Sequence, residues 1–445
     1  MALADRLRPL LGGGPGGKGL ARGAGVAFLL QGCGAGLAFV MQVLLGRWMG
    51  ASDYGTYSFT VAWAGLVAVA VGLGLPTTVL RFIPTFVSRA EWSHLRGILR
   101  ASVAITAAAG FGTAALATLV VVLLGSGSGD ISWVVILGFW LVPLLALRTL
   151  QQENVRAFRR IALAYGPPFV LRAGLVIAGG GIWMAAHGGL TSEGALLITA
   201  IATVLALAYQ TVLFWRGLDP QVRTATPTYE TRAWMKVALP LLLIASFTVV
   251  LSETDIVMVG AFLGSKEAGI YAAASKTSSV VGLVLLSVNA IAAPMFSSLF
   301  AQDRHEDLAR LAIRVAQWIF WPTLAVSILL AAAAGPILSL FGSEFDSAKW
   351  ILIVLLGGGL VSAAAGSVGY LLTLTGHQRE AAWVIGWVAV LHVALNAVMI
   401  PLFGAIGAAI ATTTSLSVWN TWLHTLVVRR LDIHPSVFAR FRHRR

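Results

Sequence analysis

The chain has 445 residues, of which 58% are hydrophobic and only 11% charged, and its mean hydropathy is +0.85. A water-soluble domain carries about 25% charged residues, so the composition excludes a string of soluble domains and predicts an integral membrane protein. The single cysteine, Cys33, excludes an internal disulfide framework and a cysteine metal cluster. The net charge of +13 has no soluble basic module that would bring it to nucleic acid.

A basic leader, 1–23, opens the chain and is expected to be flexible. Its stretch Gly12–Lys18 nearly spells a phosphate-binding loop, but Gly19 stands where that loop needs Ser or Thr, and no strand precedes it. The apolar run behind it is about 23 residues long without a convincing small-residue cleavage site, which predicts a retained helix rather than a signal peptide. Apolar runs near the ~20 residues that cross a bilayer fall at 24–46, 57–80, 98–124, 131–150, 161–185, 193–215, 236–262, 269–300, 308–333, 348–375, 381–401 and 404–428. The runs at 269–300 and 348–375 are long enough to tilt or project from the membrane. Barrel strands are only ~9–11 residues and alternate with polar positions, so helices are expected throughout.

The connections sort by charge. Residues 1–23, 81–100, 148–160, 216–236, 302–314, 376–380 and 429–445 hold 26 of the 31 Lys and Arg, and the alternate loops hold only Arg47, Lys266 and Lys349. By the positive-inside rule both termini are expected in the cytoplasm.

The sequence also repeats itself. "LLGRWMGASDYGTY" at 44–57 is echoed by "MVGAFLGSKEAGIY" at 258–271, and Gly46, Gly50, Gly55 and Tyr57 recur as Gly260, Gly264, Gly269 and Tyr271. Gly194-Ala195 and Thr199 recur as Gly407-Ala408 and Thr412. Glycines spaced by four let helix backbones approach. Six helices per repeat is an even number, so both halves enter from one side. The expected architecture is all-α, with about twelve transmembrane helices in two parallel six-helix lobes around a central cavity suited to alternating access. The lobes are placed at 24–215 and 236–428, joined by a cytoplasmic linker at 216–235 and followed by a basic tail at 429–445.

Three stretches carry a family resemblance: "LGRWMGASDYGTYSF", "ALPLLLIASFTVVLSETDIVMVGAFLGSKEAGIYAAASK" and "LNAVMIPLFGAIGAAIATTTS". They resemble bacterial Wzx-type polysaccharide flippases, members of the multidrug/oligosaccharidyl-lipid/polysaccharide exporter superfamily, over essentially the whole chain. That resemblance implies a flippase that moves an undecaprenyl-diphosphate-linked oligosaccharide to the outer leaflet for cell-surface polysaccharide assembly. It implies membrane lipids and a polysaccharide polymerase machinery as partners, function as a monomer, no enzymatic activity and no cofactor beyond a Na⁺ or H⁺ coupling ion.

Charged groups inside spans cost ~2.5–3.5 kcal/mol at mid-bilayer, which singles out Arg172, Glu253, Asp255 and Lys276. Arg172 sits near the midplane of the fifth span, either as a cation facing the cavity or bonded to helix carbonyls. Arg81 and Arg148 would extend it into a positive path or serve as ordinary anchors; a basic cavity for the substrate's diphosphate is what the resemblance implies. Glu253 and Asp255 are about 200° apart around a helix and do not share a face. Asp255 and Lys276 lie at matching depth and could neutralise each other; alternatively Lys276 meets substrate and a carboxylate takes part in coupling. His392 and Asn396 share a helix face with Thr412 on the next helix, a set for Na⁺, for a proton on His392, or for interhelical bonding. Gln31 and Gln42 form a polar stripe on the first helix for sugar hydroxyls or helix contacts. Trp48, Trp92 and Trp234 are expected as interfacial anchors, and Trp183 and Trp387 deeper.

A multidrug antiporter of the same superfamily is the competing reading. It would keep acidic groups in its cavity, whereas the interior charge of the first half is arginine. A membrane glycosyltransferase would need a larger outer domain than the stretch 334–347, with Glu344 and Asp346, provides.

Overall fold

The computed structural model describes residues 15–125 and 133–437, with side chains over 30–123 and 133–437. Leader residues 1–14 and tail residues 438–445 lie outside the described residues. Every regular element among those described is helical.

Ten helices are long and apolar enough to cross a membrane. One of them is two, because Gly50 (φ 72°, ψ 175°) interrupts the helix running from Pro15 to Val71. The C-terminal helix Ala405–Leu431 adds a further 27 residues, rich in Thr, Ser and Asn. Counting both pieces of the first and this helix, the described residues contain one long helix for each of the twelve apolar runs. The first begins at Pro15, inside the stretch expected to be a flexible leader; proline suits the first helical turn because its missing N–H would have no partner there.

Two expected spans are broken. The run 57–80 is interrupted at Leu73 (φ 50°) and Gly74 (φ 73°), and helix resumes at Leu75 with Pro76 in its first turn. The break serves a close contact: a Cβ on Gly74 would land on the Ala238 carbonyl oxygen. The run 348–375 is interrupted at Gly366 (φ 72°), separating Lys349–Ala365 from Val368–Leu374. The helix expected at 269–300 is continuous over Ser265–Ala301, although it contains Pro294.

Packing divides the chain into two compact units. One runs Cys33–Ala272; the other joins the residues up to Gly32 to those from Ala273 onward. In the first unit, the segment expected to link two lobes is folded against the third spanning helix, Trp92–Gly125. Thr228 N–H donates to Ser93 O at 3.0 Å, Arg96 donates to Ala225 O at 2.5 Å, and Val222 is buried. Trp234, expected at an interface with lipid, is fully buried in the same apolar cluster with Leu95, Leu150 and Phe214. Its indole is drawn inward because the start of its helix, Thr231–Leu263, packs on that cluster rather than facing headgroups.

The repeat is visible as symmetry within this unit. Gly50 and its counterpart Gly264 (φ 89°, ψ 175°) share one positive-φ backbone state, which a side chain would strain. A Cβ on Gly55 would strike the Ser265 carbonyl oxygen, and a Cβ on Gly269 would strike the Ala51 carbonyl oxygen. Ala51 corresponds to Ser265 and Gly55 to Gly269, so each turn does to the other what is done to it, the mark of a two-fold relation. Ser52 and Ser265 hydroxyls add a hydrogen bond at 3.3 Å. Inverted repeats would carry these turns on opposite membrane faces, so their contact makes the repeats parallel.

Candidate functional site

The fifth span (Ile161–His187) holds Arg172, and its local sequence explains why that residue is so placed. Pro167 and Pro168 have no N–H, which leaves the carbonyls of Leu163 and Ala164 without helical donors. Gln210 of the sixth span supplies the donor: its Nε2 lies 2.8 Å from Leu163 O and 3.4 Å from Ala164 O. The backbone relaxes into a π-helical turn over Gly166–Leu171, closed by the Arg172 N–H on Pro167 O. Such turns are rare and recur at functional sites. Phe169 within it packs on Gly34 of the first helix, where a Cβ would lie 2.7 Å from the Phe169 Cβ. Arg172 is the first residue to leave the turn.

Arg148 of the fourth span (Trp133–Ala157) is within electrostatic range of Arg172, and the two guanidinium groups repel. Both side chains are half-buried, and the Nε of each is buried without a hydrogen-bond partner among the described residues. Unpaired buried donors are costly, and a pair of like charges more so. Two carboxylates of this unit are engaged elsewhere. Glu153 pairs with Arg156 at 3.1 Å, and Asp53 accepts the Ser192 N–H at 3.2 Å.

A polar line from the first two helices accompanies the arginines. Tyr57 lies near Arg172, and its buried hydroxyl is 3.2 Å from Thr199 Oγ1. Tyr54, fully buried, donates to Gln42 Oε1 at 3.0 Å and lies alongside Tyr57 with ring centroids 6.5 Å apart. That bond occupies the Gln42 carbonyl and leaves its amide hydrogens as donors. The arrangement can receive an anion on the guanidinium groups and hydroxyl-bearing groups beside it.

The remaining candidates are placed differently. Arg81 is exposed, its guanidinium carbon 5.9 Å from the Phe82 ring centroid, and it does not join the Arg148–Arg172 pair. Gln31 and Lys276 are half-buried, as is Glu253. Asp255 is buried and accepts the Tyr271 hydroxyl at 2.8 Å, so each repeat tyrosine is bonded but to a different partner. In the second unit, His392 Nδ1 lies 3.1 Å from Ser415 Oγ, and Asn396 Nδ2 donates to His392 O at 3.0 Å and approaches His392 Nε2 at 3.3 Å. Thr412 donates to Ala408 O within its own helix. Among the described residues, no group of three His, Cys, Asp or Glu could hold a metal ion.

Sequence reasoning missed Tyr54, Gln210 and Ser415. Gln210 was readable as a lone amide in an apolar run opposite Gly-Pro-Pro; Tyr57 and Thr199 were visible as repeat landmarks without a role.

A protein of Haloferax volcanii named as a probable low-salt glycan biosynthesis flippase, Agl15, is 25% identical over 422 residues, covering 91% of this chain and 82% of its own. The fold is similar to an inward-facing multidrug resistance MATE family transporter of the MOP superfamily, with a TM-score of 0.72, 15% identity and coverage of 89% and 94%. It is similar also to the lipid II flippase MurJ in an inward closed conformation, with a TM-score of 0.69, 14% identity and coverage of 90% and 86%. The family described as polysaccharide biosynthesis protein matches residues 20–300, and the chain belongs to that family.

Proposed function

We propose that the protein is a flippase for a lipid-linked oligosaccharide, with undecaprenyl diphosphate as the lipid carrier, moving it from the cytoplasmic to the outer leaflet of the inner membrane by alternating access. The observation that carries the reading is the Arg148–Arg172 pair, two like charges held inside the membrane with buried donors that an anion from outside the chain would satisfy. A diphosphate supplies the charge and the acceptor oxygens; the Gln42 amide hydrogens are donors for sugar hydroxyls. Membership in a polysaccharide biosynthesis family and the likeness to Agl15 support the glycan as cargo.

The membrane potential alone can drive the step. Two negative charges leaving at ~100 mV, inside negative, gain up to ~4.6 kcal/mol at ~2.3 per charge. Coupling through Na⁺ or H⁺ is therefore an addition rather than a requirement.

The test is leaflet transfer in proteoliposomes, with a labelled undecaprenyl-diphosphate saccharide followed by its protection from an impermeant quencher. Transfer should require the protein and fall about tenfold or more in Arg172→Gln, the worth of one charge-assisted bond. The MATE-like fold favours a second reading, a cation-coupled drug antiporter. Movement of a cationic dye down an imposed ion gradient, with no saccharide transfer, would establish that instead.

A further inference from the structure

The eighth (Ser265–Ala301) and ninth (His305–Ala332) spans enclose an apolar cavity of about 690 Å³ that the site above does not use. Its walls are a stripe on each helix. Val288, Ile291 and Met295 come from one, and Leu311, Trp318 and Pro322 from the other. It is open to the outside: Ile291 is 60% and Trp321, at its margin, 61% exposed. The side chains exposed at its mouth, Ile291, Trp318 and Trp321, are apolar, which sets the opening against hydrocarbon rather than water. From Leu311 to Pro322 is eleven residues, ~17 Å at 1.5 Å per residue, close to the ~15 Å of one leaflet's hydrocarbon. It begins within the segment 302–314, whose Arg304, Arg310 and Arg314 mark the cytoplasmic side by the positive-inside rule, hence in the cytoplasmic leaflet.

The mouth carries an uncommitted cation. Arg304 and Arg310 are both tied to Asp307, Arg310 at 2.7 Å. Arg314 is exposed and makes no ion pair among the described residues. It lies one turn before Trp318 on the same helix face, and a helical side chain leans toward the preceding turn, which carries its guanidinium toward the level of Leu311. One fixed charge above one apolar slot of leaflet depth is complementary to an anionic group on a single hydrocarbon chain. A phospholipid brings two chains to its phosphate; a polyprenyl carrier brings one.

We infer that this groove holds the polyprenyl chain of the lipid-linked substrate in the cytoplasmic leaflet, with Arg314 on its phosphate. The inference rests on the flippase reading, since it takes its ligand from that substrate.

The test uses the full chain in phosphatidylcholine nanodiscs and radiolabelled undecaprenyl monophosphate as the probe. Arg314→Gln removes the cation from an exposed position, and Ile291→Trp narrows the groove from its exposed edge. Each should weaken binding about tenfold, the polyprenol without phosphate should bind more weakly than the phosphate, and excess phosphatidylglycerol should not displace the probe. Unchanged binding in both variants, or equal displacement by phosphatidylglycerol, would overturn the assignment and leave an ordinary anionic-lipid contact. Saccharide transfer is scored separately in the wild type. Variant-sensitive binding without transfer would retain the groove and sink the flippase reading, whereas transfer with variant-insensitive binding would do the reverse.

Discussion

Two polar constellations within membrane-spanning helices handle the same cost in opposite ways. In the second unit, Asn396 donates one amide hydrogen to a carbonyl, which can only accept, and directs the other at His392 Nε2. Ser415 Oγ lies against the other ring nitrogen, Nδ1. The His392–Ser415 bond joins the eleventh and twelfth helices. In the first unit, Arg148 and Arg172 repel and keep buried donors without partners among the described residues. Satisfied polarity holds helices together; unsatisfied charge of one sign marks where something else must bind.

The largest effect expected from this contrast is on the arginines. Arg172→Gln and Arg148→Gln should each lower glycolipid transfer between about tenfold and a hundredfold, the range for a hydrogen bond to a charged group. Thermal stability in detergent should hold or rise, because an uncompensated buried charge is removed. A fall in stability that matches the fall in transfer would mean the guanidinium groups are structural, and the contrast would collapse.

Gln210 lies between the two cases, since it is a helix-holding group that positions a binding group. Gln210→Leu leaves the carbonyls of Leu163 and Ala164 without donors and should cost about 1–3 kcal/mol of stability. It should also reduce transfer, by less than Arg172→Gln, because the π-helical turn before Arg172 loses its brace. Gln210→Glu should fail to rescue, as a carboxylate offers no donor to a carbonyl. The readouts are the melting transition and initial transfer rate of the three proteins side by side.

The spans and their parallel repeat were legible because both depend on local features: apolar length, basic loops and glycines at matched offsets. Arg172 was legible for the same reason, as a cation in an apolar run. What escaped depends on pairs far apart in the chain. Nothing local says that Gln210 reaches Leu163, or that Ser415 meets His392. The breaks at Gly74 and Gly366 escaped because an apolar run reads the same whether or not its backbone is continuous. The segment at 216–235 has a linker's prolines and charges, and only its bonds to Ser93 and Arg96 reveal it as packed structure.

The smallest expected effect is at His392, and it tests the contrast from its other side. His392→Phe keeps the ring volume and removes the bonds to Ser415 and Asn396. Interhelical hydrogen bonds in membranes average about 0.6 kcal/mol by double-mutant cycles, so the melting transition should fall slightly and transfer should stay near wild type. Ser415→Ala should lose a similar amount, and the double variant should lose less than the sum, because both single changes break one bond. Full additivity would remove His392–Ser415 as a structural clasp. Collapse of transfer with stability intact would restore the proton-accepting role that the sequence also allowed for His392, and hydrogen bonding between helices would no longer be evidence against function.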